Sequence, residues 1–457
     1  MTTHIDTFQH YFFVGIAGTG MSAIAQYLCG TGKKVSGSDR LFDKNQKMLI
    51  QEQFEKMGID CFYQDASGIS SDVDVVVVST AIEESNIEYK KAIQNNIPIL
   101  KRSELLAEIS KSKRTIAIGG TSGKSTTTSM IFHILQHAQI SPSLMTGAGL
   151  TSLQKKGLPG NAFVGQSDWL VIESDESDGS IVNYLPEISI VLNIDRDHKE
   201  FDELMALFTT FRTNTYGRFI VNADHPASAQ ISMDKSFDFG TKSGVGFFGS
   251  DFKQIGFEIK FFVNGVPFTV PMIGRHNMEN TLAAVAAVSA VGVSVEEAAQ
   301  AMINYEGIYR RTQLVGRKNN ICVIDDFAHN PSEVAAAIKS CQQVGKRVFA
   351  WFQPHGFGPL RFMHQELSEL VSETLTTEDV FILSDVYYAG GTVDKNISSE
   401  IVSEAIVSNK KCAKFIPNRN DLKGYLKANL SDGDVVLLMG ARDTTLSEFA
   451  SEIFESI

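Results

Sequence analysis

Arg114-Thr-Ile-Ala-Ile-Gly119 runs without a break into Gly120-Thr-Ser-Gly-Lys-Ser-Thr126. A short β-branched apolar run passes into a glycine loop, and a helical pattern follows as far as His137. Strand, glycine loop and helix in that order wrap backbone N–H groups around a polyphosphate and aim a helix N-terminus at it. Lys124 supplies a cation for the phosphates and Ser125 a hydroxyl for Mg2+, while Gly120, Thr121, Gly123 and Thr126 shape the loop around ATP. The stretch is not a strict Walker A sequence, because Ile118 stands where that pattern has its first glycine. The surrounding strand and helix favour an ATP-binding loop over a plain glycine turn with an exposed lysine.

The same switch recurs on both sides of this loop. Residues 11–16 form an apolar run that meets Gly18 and Gly20 and then an Ala/Ile/Leu helix from Met21, and residues 73–78 precede Ser79-Thr80-Ala81. Downstream, buried-strand candidates at 169–172 and 188–192 end in acidic residues or His, and the pattern resumes at 321–324, 347–352, 380–383 and 435–439. Strands alternating with helices indicate parallel sheets. A chain of 457 residues exceeds what one core organises, and about 150 residues per domain suggests three domains. The expected architecture is α/β throughout: a Rossmann-like domain at 1–112, a central P-loop ATPase-type domain at 113–310 and a Rossmann-like domain at 311–457.

Gly15-Ile-Ala-Gly-Thr-Gly20 approximates the dinucleotide fingerprint with Ala17 at its middle position, and Asp39 lies 19 residues beyond Gly20. Alone it would suggest a nicotinamide enzyme, but with a phosphate loop elsewhere in the chain a nucleotide-linked substrate is the better reading. Two acidic runs follow strands of the central domain: Glu173-Ser-Asp-Glu-Ser-Asp178 and Asp195-Arg-Asp-His198. Mg2+ prefers hard oxygen ligands, so carboxylates and a His at strand ends can hold it against ATP. The alternative is solvated loop surface, which two such loops downstream of a phosphate loop disfavour. Asp325-Asp-Phe-Ala-His-Asn-Pro331 has the same character. His276-Asn-Met-Glu-Asn280 sets two asparagines on one helical face, which an ordinary helix start explains equally well.

Composition excludes other classes. A formal net charge of -12 lacks the basic face that non-specific nucleic-acid binding needs. The five cysteines are scattered with no Cys-x-x-Cys pair, as in reduced cytosolic proteins, and structural zinc is not expected. Residues 1–9 lack the basic-then-apolar order of a signal peptide, and the Ala-rich run at 281–295 is too short to span a bilayer. A cytoplasmic protein without membrane insertion is expected, as a monomer or homodimer.

Taken in order, Gly15-Ile-Ala-Gly-Thr-Gly-Met-Ser22, Ser36-Gly-Ser-Asp39, Ser79-Thr-Ala-Ile82, Gly120-Thr-Ser-Gly-Lys-Ser-Thr-Thr-Thr128, Glu173 to Asp178, Asn193-Ile-Asp-Arg-Asp-His198, Gly274-Arg-His-Asn-Met-Glu-Asn280, Arg310-Arg311 and Asp325 to Pro331 resemble the Mur ligase family. Within it the similarity is greatest to the alanine-adding branch. The resemblance implies that the first domain holds UDP-N-acetylmuramate, with Gly15, Gly18, Gly20, Met21, Ser38, Asp39 and Ser79 at its site. The second would hold ATP, and the third would bring an amino acid or short peptide. ATP would phosphorylate the muramoyl carboxylate, and the amino group would attack the acyl phosphate to form an amide.

By the same resemblance Lys124, Glu173, His198 and Arg311 are the catalytic residues, and Ser125, Glu173 and His198 the Mg2+ ligands. Asn277 and Asn280 would contact the nucleotide base, Arg311 and Asp326 would complete the ATP site, and His329 and His355 would lie near the incoming amino acid. The chain departs from the alanine-adding pattern at Ser122, Phe327 and Asn330, usually His, Tyr and His. Gly356-Phe-Gly-Pro359 replaces a basic stretch, leaving Arg361 as the nearest cation, and Arg442 replaces a glycine. L-Alanine is the expected amino acid. The alternatives are attachment of a recycled tripeptide, amidation of a different carboxylate, or a non-catalytic nucleotide-binding paralogue.

Overall fold

Four consecutive valines, Val75–Val78, offer water no polar face, and the strand they form is buried in a five-stranded parallel sheet. The order across that sheet is Asp60–Tyr63, Lys34–Asp39, His10–Val14, Val75–Val78, Ile99–Lys101. Alternation sends Tyr11, Phe13, Val75 and Val77 into one core and Phe12, Val14, Val76 and Val78 into another on the opposite face. Each such fully buried side chain contributes about 1.5–3 kcal/mol. Chain order reverses between His10–Val14 and Val75–Val78, and a doubly wound sheet opens its ligand crevice at the carboxyl ends of the strands flanking such a reversal.

The computed structural model describes residues 5–42, 47–195, 200–388 and 395–457. Two compact units emerge: Met1–Asp251 with Phe261–Phe268 and Glu279–Ile308, and Phe252–Lys260 with Thr269–Met278 and Tyr309–Ile457. The first unit also contains a six-stranded sheet of order Arg218–Val221, Ile188–Val191, Arg114–Gly119, Trp169–Glu173, Ser143–Met145, Ala162–Phe163. All its pairs are parallel except the last. A four-stranded sheet lies within residues 239–270, and its strand Glu258–Val263 alternates exposed and buried positions as a half-solvated strand does.

In the second unit a six-stranded sheet runs Gln313–Lys318, Ile321–Asp326, Val435–Gly440, Val348–Gln353, Val380–Leu383, Ala413–Phe415. Its first strand is an antiparallel edge and the rest are parallel. Ile324, Ala350 and Leu437 pack on one face, and Val323, Trp351 and Leu438 on the other. The α/β architecture expected from the sequence is the one observed. No described helix is long and apolar enough to cross a membrane.

Candidate active site

Strand Arg114–Gly119 lies between Ile188–Val191 and Trp169–Glu173, so its carboxyl end emerges among the loops that follow all three. There Gly120 has φ +136° and Gly123, at the threshold of helix Lys124–His137, has φ +89°. A Cβ on Gly123 would stand 2.6 Å from Asn280 Oδ1, so both conformation and space demand glycine. The neighbouring loop braces this one. Ser122 N donates to Asn193 Oδ1 (2.8 Å), Asn193 Nδ2 donates to Ser122 O (3.0 Å), and Asp195 N donates to Thr121 Oγ1 (2.9 Å). Asn193 therefore grips Ser122 by its backbone, and this brace does not depend on which side chain stands at 122.

Lys124 Nζ donates to Gly120 O at 2.6 Å and lies 3.0 Å from Glu176 Oε2. Burial opposes the charge on Lys124, but Glu176 and Asp175 outweigh it, its pKa is raised, and it stays an ammonium. Burial pushes the Glu176 carboxyl up, and Lys124 draws it part of the way back. The acidic run lies beside the loop, where Glu176 is the partner of Lys124. Glu173, opposite Ile118 in the strand register, accepts from Thr146 Oγ1 and from Gly147 N (2.8 Å). Ser125 and Thr126 occupy the first helical turn and are nearly buried. His198 lies outside the described residues, and Asp195, the last described residue of its run, has Oδ1 3.1 Å from His225 Nε2.

The first glycine loop is built differently. Gly15 N and Ile16 N both donate to Ser38 O (2.8 and 2.9 Å), and Gly18 N donates back to Gly15 O (3.1 Å). Asp39 takes Ala17 N on Oδ2 (2.9 Å) and Leu41 N on Oδ1 (3.0 Å), so its carboxylate braces the loop. Met21 is buried in the helix that follows, and Ser79 comes directly after Val75–Val78. Gly15, Gly18, Gly20, Met21, Ser38, Asp39 and Ser79 therefore share one carboxyl edge. Arg102, unmarked in the sequence, flanks Gly20 and pairs with Asp178 of the acidic run at 2.9 Å. Asn161 Nδ2 donates to Thr19 O (2.8 Å) at the start of the same helix.

In the second unit Asp326 is fully enclosed, accepting Thr312 N (2.6 Å) and Ala328 N (2.7 Å). Burial raises its pKa to about 6, against the pull of Arg311. The Arg311 guanidinium lies 5.1 Å from the Phe327 ring centre, while Arg310 makes the ion pair with Asp325 (3.1 Å). His329 Nδ1 is 3.1 Å from Glu333 Oε2, and the His329 and His355 rings are 5.4 Å apart. Burial opposes the charge on His329, but Glu333 outweighs it and the pKa is raised. Burial likewise opposes ionisation of Glu333, yet His329 and Arg311 hold it down to about 2. Arg311, Asp326, His329 and His355 thus belong to one unit, together with Asn277, whose Nδ2 donates to Ile273 O (2.8 Å). Asn280 belongs to the first unit, beside Gly123 and Thr127.

A crevice with a lysine-free glycine loop in one doubly wound layer and a lysine-bearing phosphate loop in the next together define a multidomain nucleotide-handling α/β enzyme. Comparison with known proteins narrows the class. Residues 10–114 match the Mur ligase family catalytic domain, 118–288 the Mur ligase middle domain and 310–442 the Mur ligase glutamate ligase domain. UDP-N-acetylmuramate--L-alanine ligases of Agrobacterium fabrum and Geotalea uraniireducens are 32% and 34% identical over 95% and 94% of this chain, and each match covers 94% of the relative, so the likeness spans every domain. The solved UDP-N-acetylmuramate-alanine ligase of Thermotoga maritima superposes with a TM-score of 0.80 at 26% identity, covering 98% of this chain and 99% of that one. A murein peptide ligase of Psychrobacter arcticus shares the fold, with a TM-score of 0.68 at 20% identity over 98% of both chains. The chain belongs to the Mur ligase family, whose members are ATP-dependent ligases.

Proposed function

We propose that this protein joins L-alanine to UDP-N-acetylmuramate with consumption of ATP, a step of peptidoglycan precursor synthesis carried out in the cytoplasm by a monomer or homodimer. The observation that carries the reading is the buried Lys124 ammonium, set in a strand-bounded glycine loop within a chain similar along its whole length to alanine-adding ligases. Hydroxide is a poor leaving group from a carboxylate and phosphate a good one, so activation by ATP makes amide formation feasible.

On this reading the 15–20 loop, Ser38, Asp39 and Ser79 hold the nucleotide-sugar. The 119–126 loop cradles the ATP phosphates, and Lys124 counters charge developing on the transferring phosphoryl group. Ser125 and Glu173 carry oxygen donors of the hard kind that Mg2+ takes, and His198, outside the described residues, is assigned as the third ligand by the family resemblance. Bound there, Mg2+ supplies charge neutralisation on the nucleotide phosphates. Asn280 and Asn277 are assigned to the base, Arg311 and Asp326 to the ATP site, and His329 and His355 to the amino acid. The domains are assigned to UDP-substrate at 1–112, ATP at 113–310 and amino acid at 311–457.

Phosphate release with UDP-N-acetylmuramate, ATP, Mg2+ and a panel of amino acids and the recycled tripeptide tests the proposal. L-Alanine is expected to stimulate release most. Stimulation by the tripeptide alone would transfer the assignment to peptide recycling, and stimulation by none would end it.

A further inference from the structure

Beneath the first glycine loop lies a carboxyl group that neither phosphate chemistry nor packing explains. Glu88, in the first turn of helix Ile87–Gln94, is fully buried. Ser38 Oγ donates to its Oε2 and the Ala66 backbone also engages the carboxyl, while Oε1 has no partner of ordinary hydrogen-bond geometry among the described residues. A buried carboxylate oxygen without a partner is disfavoured, and an apolar residue of similar size would fill the same space more favourably. The location supplies a reason for keeping it. Ser38 is the residue whose backbone oxygen receives both Gly15 N and Ile16 N, so Glu88 stands one side chain away from the loop at the reversal of strand order.

The charged groups facing Glu88 are Asp39, from strand Lys34–Asp39, and Asp65, from the segment after Asp60–Tyr63. Burial above all, then these two carboxylates, push the Glu88 carboxyl up to about 7, with Ser38 and the Ala66 backbone acting against them. Near neutral pH the group therefore exchanges a proton, and its ionised form places a third negative charge under the crevice.

We propose that Glu88, held against Ser38 beneath the 15–20 loop, is a positioning residue of the nucleotide-sugar crevice: ionised, it repels an anionic nucleotide-linked ligand, so that binding is coupled to proton uptake. The inference rests on the reading that this crevice takes UDP-N-acetylmuramate. The sign follows from linkage: a ligand that prefers the protonated form binds more weakly as the pH rises through the titration of the free protein.

The test is calorimetric titration of the full-length protein with UDP-N-acetylmuramate from about pH 6 to about pH 8.5, spanning that titration. Wild type and Glu88→Gln are compared, and kcat and the ATP KM are measured alongside. In wild type Kd should rise about tenfold across the range, one decade per pH unit above the titration point being the most a single proton allows. Glu88→Gln should bind with a nearly flat profile, with kcat and the ATP KM close to wild type. A second measurement needs no variant: near the titration midpoint, binding heats in buffers of different ionisation enthalpy should report net proton uptake by wild type. Equal pH profiles in wild type and Glu88→Gln, or binding heats independent of buffer, would overturn the inference while leaving the proposed substrate in place. Wild type that fails to bind the UDP-sugar at every pH would overturn both.

Discussion

The two glycine loops of the first unit share a backbone plan and differ in what fixes them. Each leaves the carboxyl end of a buried parallel strand and enters a helix. The 15–20 loop is tied to its own sheet by Ser38 O and the Asp39 carboxylate and carries no cation. The 119–126 loop is tied by a neutral amide, Asn193, and encloses Lys124 against Glu176. A carboxylate brace beneath a phosphate-transferring loop would oppose the charge that loop must gather, and an amide brace avoids this. At the 15–20 loop the Asp39 carboxylate is instead occupied by two backbone N–H groups. The contrast teaches that the same turn serves recognition or transfer according to which side chains hold it.

Removing the cation should separate the loops most sharply. Lys124→Ala is expected to lower kcat by about 10³-fold, the scale of losing one preorganised charge-stabilising group, while the Kd for UDP-N-acetylmuramate stays near wild type. Loss of UDP-sugar binding in that variant would break the comparison. Gly123→Ala comes next, because a residue forced to φ +89° would also meet Asn280. Strain of about 1–3 kcal/mol should raise the ATP KM roughly 5- to 150-fold, read by steady-state kinetics at saturating UDP-sugar. Asp39→Ala removes the acceptor of Ala17 N and Leu41 N. Hydrogen bonds to a charged group are worth about 1.5–3 kcal/mol, so the UDP-sugar KM should rise at least about tenfold with the ATP KM unchanged.

Both loops are legible in the sequence, since a strand, glycines and a helix follow one another directly in the chain. Their supports are not, because Asn193 and Glu176 reach the 119–126 loop from other strand ends. Within Glu173-Ser-Asp-Glu-Ser-Asp178 nothing local tells which carboxylate meets Lys124; the turn after the strand settles it. The half-buried sheet at 239–270 is absent from the expected architecture, although the alternation of Glu258–Val263 carries its signature. Glu88 carries no local mark of burial in the sequence, and only the tertiary fold encloses this first-turn acid.

The smallest expected effect sharpens the contrast by giving the second unit a control of its own. Glu333, held down to about 2, contributes stability that is full above its ordinary 4.5 and lost as the pH falls toward 2. His329, whose pKa is raised, contributes stability that is full below its ordinary 6.5 and lost as the pH rises through its folded value. The pair therefore holds best between those two ordinary values. Glu333→Gln should cost about 1–2 kcal/mol there and flatten the pH dependence of thermal unfolding on the alkaline side, without altering UDP-sugar binding.

Activation by the 119–126 loop of the carboxylate of the sugar held by the 15–20 loop is the reaction proposed for this protein. Its most direct test is to supply UDP-N-acetylmuramate bearing heavy oxygen in that carboxylate, with ATP, Mg2+ and L-alanine, and to follow the label by mass spectrometry. An acyl phosphate requires one labelled oxygen to leave in the released phosphate, and that transfer is the expected result. Phosphate released without label, while the amide product forms, would contradict the account.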